Sequence, residues 1–171
     1  MIEIRSLKPY QWPLLKAIRL RALADSPEAF GTTLAQALAR TDAEWQENAR
    51  RFTLLPPAAC FLAFEADTPC GMANCFVTTE DPQVAELTAF WVAPERRGLG
   101  VAEALVADAA KWASAQTVTT LQAWVVEDNT RALTFYKMMG FSDTGQRQPH
   151  TPEPSKEIIL LTIHPQKCYN L

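Results

Sequence analysis

The stretch that most restricts the fold runs from residue 84 to residue 126, where a strand, a glycine turn, a helix and a second strand follow one another. The apolar run VAELTAFWV predicts the first strand, and TTLQAWVV predicts the second. Between them, the turn PERRGLG leads into a helix whose apolar face consists of alanine, leucine and valine. Two strands joined in this order form a parallel crossover unit, which is right-handed. The chain therefore requires a sheet with a helix packed on its face.

Further strands and helices are predicted on both sides of this unit. IEIRSL predicts a first strand, a helix follows at about residues 11–24, and Thr41 begins a second helix with Glu44 at capping-box spacing. Pro56 and Pro57 are expected to end that helix. Two strands, ACFLAFEA and CGMANCFVTT, precede the crossover, and a helix ended by Gly140 follows it. The strands FSDTGQ and EIILLTI, on either side of the proline-rich loop QPHTPEPS, close the chain.

The predicted order β-α-α-β-β-β-α-β-α-β-β describes a mixed sheet of the α/β (α+β) class, and we expect one domain over residues 1–171. Hydrophobic residues make up 48% of the chain and charged residues 20%, which is typical of a soluble globular protein. The net charge of −3 argues against nucleic-acid binding through a broad basic face. No apolar run has the length of a membrane span and no signal peptide is recognised, so a cytoplasmic protein without a membrane partner is expected.

Few residues of the chain are suited to metal or disulfide chemistry. The cysteines are Cys60, Cys70, Cys75 and Cys168. They form no CxxC pair and have no metal-ligand spacing, so we expect buried, reduced thiols. With only two histidines in the chain, no metal site is expected.

The glycine turn is suited to holding an anion, because a turn before a helix can direct backbone N–H groups at one. A P-loop needs four residues between its glycines and then Lys-Ser or Lys-Thr, and both features are missing. A dinucleotide fingerprint needs Gly or Ala three positions after Gly100, where Glu103 stands. Both of these loops are therefore disfavoured, while a turn without any ligand stays open as an alternative.

Two segments carry a resemblance to a known family. Arg97, Gly100 and Ala102 match the pattern of Gln or Arg, two residues, Gly, one residue, Gly or Ala, and Gly98 stands where that family often has glycine. The segment WVAPERRGLGVAEAL resembles the acetyl-CoA loop of the GCN5-related N-acetyltransferase (GNAT) superfamily over its whole length. One helix and one strand later, the family's second motif is matched by Asn129, Arg131, Ala132, Phe135, Tyr136, Gly140 and Phe141.

The resemblance extends over nearly the whole chain and is to the prokaryotic branch. It implies the GNAT-type acyl-CoA N-acyltransferase fold and acetyl-CoA as co-substrate, without a metal. The implied reaction is direct attack of a primary amine on the thioester in a ternary complex. A non-catalytic acyl-CoA-binding or regulatory module on the same fold is the alternative, and a hydroxyl acceptor is a further one. The acceptor stays open among small molecules, peptides and proteins, and homodimers are common in the superfamily.

The resemblance also assigns the donor site. The backbone N–H groups that would bind the pyrophosphate belong to Gly98, Leu99, Gly100, Val101 and Ala102. Side chains at the glycine positions would collide with the phosphate, and Arg96 or Arg97 would add charge unless both form a solvated surface pair. In the family the strand is bulged here, so Val92 would pair with the pantetheine arm and polarise the thioester carbonyl. Asn129 would bind the same arm, cap the next helix, or do both.

Two residues are candidates for acid–base catalysis. Tyr136 resembles the tyrosine that protonates the departing thiolate, with a core aromatic as its alternative role. Glu86 lines up with the glutamate that serves as base in the histone-acetylating branch, and a strand-edge glutamate facing water is its alternative role. Glu127 and a water chain are the other candidates for the base. Trp124 stands where some members that acetylate protein N-termini carry a glutamate, so the analogy with those members is weakened.

Acceptor recognition is expected from the first two helices and the proline-rich loop. Phe30, Trp45 and His150 are the candidates in these segments, with packing or surface roles as their alternatives. Peptide N-termini, lysine, polyamines and antibiotic amines are all compatible with the sequence.

Overall fold

A computed structural model describes residues 1–54 and 57–169 of the chain. Seven strands are present in this part of the chain: β1 Ile2–Ser6, β2 Ala58–Glu65, β3 Thr68–Val77, β4 Val84–Val92, β5 Thr120–Val126, β6 Ser142–His150 and β7 Glu153–Ile163. The α-helices are α1 Trp12–Asp25, α2 Leu34–Leu38, α3 Asp42–Arg51, α4 Val101–Ala115 and α5 Thr130–Met138. The mixed α/β class that the sequence predicts is confirmed.

The seven strands form one sheet in the order β1-β2-β3-β4-β5-β7-β6. Strands β4 and β5 pair in parallel and are connected by α4, which is the predicted crossover unit. The other neighbouring strands are antiparallel. Residues of α1, α4 and the sheet belong to one continuous hydrophobic cluster.

Capping residues determine where two of the helices begin. The N–H of Thr41 donates to Glu44 Oε2 at 2.7 Å, which closes the predicted capping box of α3. Thr33 and Gln36 form a second box that begins α2, a short helix that the sequence pattern did not predict. Helix α3 ends at Arg51, before the two prolines expected to stop it, and Pro56 lies outside the described residues.

The proline-rich segment 148–155 is a hairpin rather than the predicted loop. Strand β6 continues to His150 and β7 begins at Glu153, so only two residues turn the chain. Pro149 is tolerated because β6 is an edge strand and its register shifts at this point. Pro154 is tolerated because β7 pairs with β5 only from Ile158 onward.

Strand β4 is distorted where it approaches the glycine turn. Trp91 pairs with Met72 and Thr88 with Asn74, so two residues of β4 lie opposite one residue of β3. Ala89, within this bulge, has a φ of 51°, which is rare for a residue with a side chain. Toward β5, pairing ends at Leu87, so the two parallel strands separate beyond it. The separation leaves backbone groups of β4 without a strand partner on that side.

Helix α4 packs closely over the sheet and carries the glycine turn at its start. A Cβ atom at Gly71 would lie 3.1 Å from Leu105 Cδ1 and 3.2 Å from the Trp91 carbonyl oxygen, so only glycine allows this approach. The cysteines are buried, as predicted, and are not joined to one another. Across residues 1–54 and 57–169, no helix has both the length and the apolar character needed to cross a membrane.

Candidate active site

Two adjoining cavities lie along the distorted half of β4. The first, here called the turn cavity, measures about 310 Å³ and is bordered by the glycine turn, the end of β4 and α5. The second, here called the arginine cavity, measures about 380 Å³ and is bordered by α1, α3 and the middle of β4. Ala29 and Phe30 border both cavities, and the bulge residues Ala89 and Phe90 border one each. The bulge thus lies where the cavities meet.

The glycine turn combines left-handed backbone with a helix N-terminus. Gly98 and Gly100 have φ values of 74° and 81°, a region that residues with side chains avoid. A Cβ atom at either position would have no atom of the described chain within 4 Å. Backbone conformation, rather than crowding by the protein itself, therefore requires glycine here. The N–H groups of the first turn of α4 have no partners within the helix and can bind an anion.

The two arginines of the turn form ion pairs instead of a solvated surface pair. Arg96 pairs with Glu65, and Arg97 pairs with Asp25, which also accepts a hydrogen bond from Trp91 Nε1 at 2.8 Å. The Arg97 guanidinium additionally donates from Nε to the Val92 carbonyl oxygen at 3.0 Å. These contacts fasten the turn to β4 and to α1. Both arginines border the turn cavity, but part of their charge is already neutralised.

Val92 and Asn129 both border the turn cavity. Val92 is the last residue of β4 and is paired with Gly71 of β3 on its other edge. The Asn129 side-chain oxygen accepts the N–H of Ala132 at 3.1 Å, so Asn129 caps α5. The cap uses only that oxygen, and the amide nitrogen remains as a donor for a ligand.

Tyr136 combines a core position with access to the turn cavity. Its ring is 4% exposed and packs edge-on against Phe141 and Phe135, with centroid distances of 4.9 and 5.4 Å. Phe90 of the bulge lies 5.9 Å away. Burial raises the pKa of the Tyr136 hydroxyl well above its ordinary value. The phenol is therefore held in its protonated, proton-donating form.

Glu86 borders the arginine cavity from the interior of the sheet. It lies between Phe76 of β3 and Gln122 of β5, so the expected alternative of a strand-edge glutamate is wrong. Its side chain is half-buried, and burial raises the pKa of this carboxyl. The negative charge of Glu80 acts in the same direction, while a hydrogen bond from Gln122 Nε2 at 2.7 Å opposes both. A carboxylate with a raised pKa is suited to accept a proton.

The second candidate for the base lies elsewhere. Glu127 is exposed, and its Oε1 atom accepts the backbone N–H of Glu157 at 3.0 Å. It is not among the described residues that border either cavity. Trp124, by contrast, borders the arginine cavity.

The three acceptor candidates do come together. Phe30, Trp45 and His150 all border the arginine cavity, although they are only 5%, 1% and 5% exposed. They therefore serve in packing and form the walls of the cavity at the same time.

Sequence patterns did not single out several polar residues at the arginine cavity. The residues are Arg19, Arg40, Arg51 and Asn74. One signal was available for Arg19, since it lies four residues after the buried Leu15 and directly after the buried Ile18. Asn74 likewise interrupts an apolar strand. Arg40 stands beside Thr41 and Asp42, and Arg51 stands beside Arg50, so neither interrupts a predicted apolar run.

Among the residues described, no three or more His, Cys, Asp or Glu side chains lie close enough together to hold a metal ion. The expectation of a metal-free site stays a prediction.

Comparisons with known proteins agree with this architecture. An uncharacterized N-acetyltransferase of Methanocaldococcus jannaschii is 32% identical over 79 residues, which cover 44% of this chain and 35% of that protein. An acetyltransferase of the GNAT family from Streptococcus pneumoniae matches with a TM-score of 0.82 at 19% identity, covering 96% of this chain and 99% of the other. Spermidine N-acetyltransferase from Vibrio cholerae, in complex with CoA and spermine, matches with a TM-score of 0.77 at 15% identity, covering 98% and 97%.

The family assignment rests on a longer match. The sequence profile described as the acetyltransferase (GNAT) family matches residues 20–141, a range that includes β4, the glycine turn, α4, β5 and α5. The resemblance inferred from the two motifs is thereby confirmed, and this chain belongs to the acetyltransferase (GNAT) family.

Proposed function

We propose that this chain transfers an acetyl group from acetyl-CoA to a primary amine by direct attack in a ternary complex. The observation that carries the proposal is the meeting of two cavities at the bulge of β4, one containing Tyr136 and the other Glu86. Two substrates bound in these cavities would approach each other beside Phe30, which borders both.

The turn cavity is the proposed donor site. The pyrophosphate of acetyl-CoA would bind the N–H groups of residues 98–102, at the N-terminus of α4. The pantetheine arm would occupy the space between the separated β4 and β5, beside Val92 and the Asn129 amide. The Vibrio cholerae fold neighbour in complex with CoA supports this assignment.

Glu86 would act as the base. A primary ammonium has a reference pKa of about 10.4 and cannot attack until it loses a proton. Glu86 would accept that proton directly or through water, and the amine nitrogen would then form a bond to the thioester carbonyl carbon. The N–H of Val92 would stabilise the negative charge that develops on the carbonyl oxygen.

Tyr136 would complete the reaction as the acid. Breakage of the C–S bond leaves the electron pair on the CoA sulfur, and the Tyr136 hydroxyl would donate its proton to that thiolate. The second proton of the attacking nitrogen, which is lost as the amide forms, would return to the Tyr136 phenolate. A phenol has a reference pKa of about 10 and a thiol has one of about 8.5, so this proton transfer is unfavourable unless the site changes the two pKa values relative to each other. Burial of Tyr136 by itself opposes the transfer, because it raises the pKa of the phenol. The same apolar cavity would also raise the pKa of the CoA thiol, and the transfer depends on that second effect being the larger one.

Two measurements test this function. Acetyl-CoA and CoA are expected to raise the melting temperature, because a ligand that binds only the folded state stabilises it. A panel of amines is then screened for release of free CoA thiol. Stabilisation without CoA release from any amine would favour the non-catalytic acyl-CoA-binding module, and absence of stabilisation would contradict both functions.

Two further properties stay predictions. Light scattering on the purified chain tests the proposed homodimer, and microscopy of a tagged chain tests the cytoplasmic location.

A further inference from the structure

The residues that line the arginine cavity carry a net positive charge. Arg19, Arg40 and Arg51 border it, and none of the three forms an ion pair with a described carboxylate. Six other arginines of the chain do form such pairs: Arg5, Arg21, Arg50, Arg96, Arg97 and Arg147. Among the described residues, Glu86 is the one carboxylate that borders the cavity.

Arg19 is the most confined of the three. Its Nη1 atom is buried and has no hydrogen-bond partner among the described residues. Its guanidinium lies 4.4 Å from the ring centroid of Phe30, and burial together with the charge of Arg40 lowers the pKa of Arg19 to about 10. A buried guanidinium N–H group without a partner is costly, and an anion placed beside it would remove that cost.

Two more buried polar atoms of this cavity lack partners in the described part of the chain. They are the Nε1 donor of Trp45 and the Oδ1 acceptor of Asn74, whose residues are 1% and 4% exposed. Folded proteins rarely leave such atoms unpaired. Asn74 pairs in register with Thr88, two residues from Glu86, so Asn74 and Glu86 lie on the same face of the sheet. This face offers acceptors for an amine, whereas α1 and α3 offer N–H donors for an anion.

We infer that the acceptor is a small amine that also carries an oxyanion, either a carboxylate or a phosphate. The inference rests on the proposed function and assigns its substrate class. The amine end would lie against Glu86 and Asn74, and the oxyanion would lie against Arg19, Arg40 and Arg51. A volume of about 380 Å³ is in the range of small-molecule sites. A polyamine would bring further positive charge toward the three unpaired arginines, which repel it.

Matched pairs of amines test the substrate class. The twenty amino acids, O-phosphoserine and O-phosphoethanolamine are each compared with the amine that lacks the oxyanion, using CoA release at saturating acetyl-CoA. Since a charge-assisted contact contributes about 1.5–3 kcal/mol, kcat/KM is expected to be at least about tenfold higher for the oxyanion member of the productive pairs. Amino acids and phosphorylated amines distinguish a carboxylate from a phosphate. Equal or higher activity of the partner without the oxyanion in every pair would overturn the inference.

A binding measurement separates the two proposals. The melting temperature is recorded with each amine in the presence of CoA. Stabilisation by oxyanion-bearing amines without CoA release would support the inferred binding of the oxyanion in the arginine cavity and contradict the proposed acetyl transfer. CoA release only from amines that lack the oxyanion would support the proposed function and contradict the inference. Absence of both stabilisation and CoA release would contradict the proposed function and the inference alike.

Arginine variants test the named residues. Arg19→Gln and Arg51→Gln are expected to raise KM for the oxyanion-bearing amine by about tenfold, with KM for acetyl-CoA unchanged and no such rise in KM for the matched amine that lacks the oxyanion. Arg50→Gln is the matched control, because Arg50 lies in the same helix, pairs with Glu47 at 3.9 Å and does not border the cavity. Arg51 is exposed, so its variant keeps the test valid if the Arg19 variant fails to fold. Kinetics of the Arg51 variant that match those of the Arg50 variant would overturn the assignment.

Discussion

Burial acts on the two proposed catalytic groups in the same direction. Glu86 is half-buried and Tyr136 almost fully buried, and both have pKa values above their ordinary ranges for that reason. The shift strengthens Glu86 as a base, while it keeps the Tyr136 hydroxyl protonated. Gln122 moderates the first of these effects through its hydrogen bond to the Glu86 carboxylate.

Tyr136→Phe should lower kcat by about 10²-fold or more, because it removes a proton donor and keeps the aromatic packing. The variant should still bind acetyl-CoA, which is measured as a rise in its melting temperature when acetyl-CoA is added. The packing partners Phe135 and Phe141 are unchanged in this variant, so its own stability is the internal control. Full turnover would remove Tyr136 from the role of acid.

The pH profile tests Glu86 through Gln122. A base with a raised pKa loses activity as the pH falls through that pKa, because its carboxylate becomes protonated. Gln122→Met removes the hydrogen bond that lowers the pKa, so the acidic limb of kcat/KM should move to higher pH. Glu86→Gln should eliminate this limb and most of the activity. An unshifted limb in the Gln122 variant would indicate a base other than Glu86.

Two substitutions of Asn129 separate capping from ligand binding. Asn129→Ala removes the cap of α5 and should lower the free energy of unfolding by about 1 kcal/mol. Asn129→Asp keeps an oxygen for the cap but loses the amide donor. The Asp variant should therefore approach wild-type stability and bind CoA more weakly, as measured by calorimetry. Unchanged CoA affinity in both variants would leave Asn129 with the capping role alone.

At the scale of secondary-structure elements, the site depends on the junction between β4 and α4. The bulge at residues 89–90 and the early end of β4–β5 pairing open the space, and the turn at Gly98 and Gly100 brings a helix N-terminus to it. Both glycines require left-handed backbone conformations. The elements thus contribute backbone groups, and side chains contribute the proposed acid and base.

Gly100→Ala should destabilise the turn, because left-handed backbone costs a residue with a side chain about 1–2 kcal/mol. Gly145→Ala is a matched control, since Gly145 has a φ of 82°, no described atom within 4 Å of an added Cβ, and a position in β6. Both variants should lose similar stability in urea denaturation, but only the Gly100 variant should bind CoA more weakly. Equal CoA affinities of the Gly100 and Gly145 variants would indicate that the turn does not hold the pyrophosphate.

At the scale of the whole molecule, a single core supports both cavities. Helix α4 buries six residues against the sheet, and Leu105 among them is fully buried. Leu105 also closes the space above Gly71, so that the start of α4 lies near the end of β4. Packing at this contact therefore affects the stability of the whole sheet.

Leu105→Ala should lower the free energy of unfolding by about 2–5 kcal/mol, because it leaves a cavity in the core. Leu38→Ala, at a side chain that is 63% exposed, should change it by less than about 0.5 kcal/mol. Chemical denaturation measures both values. Similar losses in the two variants would contradict a continuous core beneath α4.

The sequence by itself determined the strands, the α-helices other than α2, their order, the glycine turn and the positions of Asn129 and Tyr136. These features depend on periodicity, capping and glycine conformation, which act between residues close together along the chain. Only the tertiary structure decided how far β4 and β5 pair, whether β4 is bulged and how the proline-rich segment folds back as a hairpin. It also brought Arg19, Arg51 and Glu86 to one cavity. Contacts between such distant residues are set by packing and register, because no local pattern specifies which side chains meet.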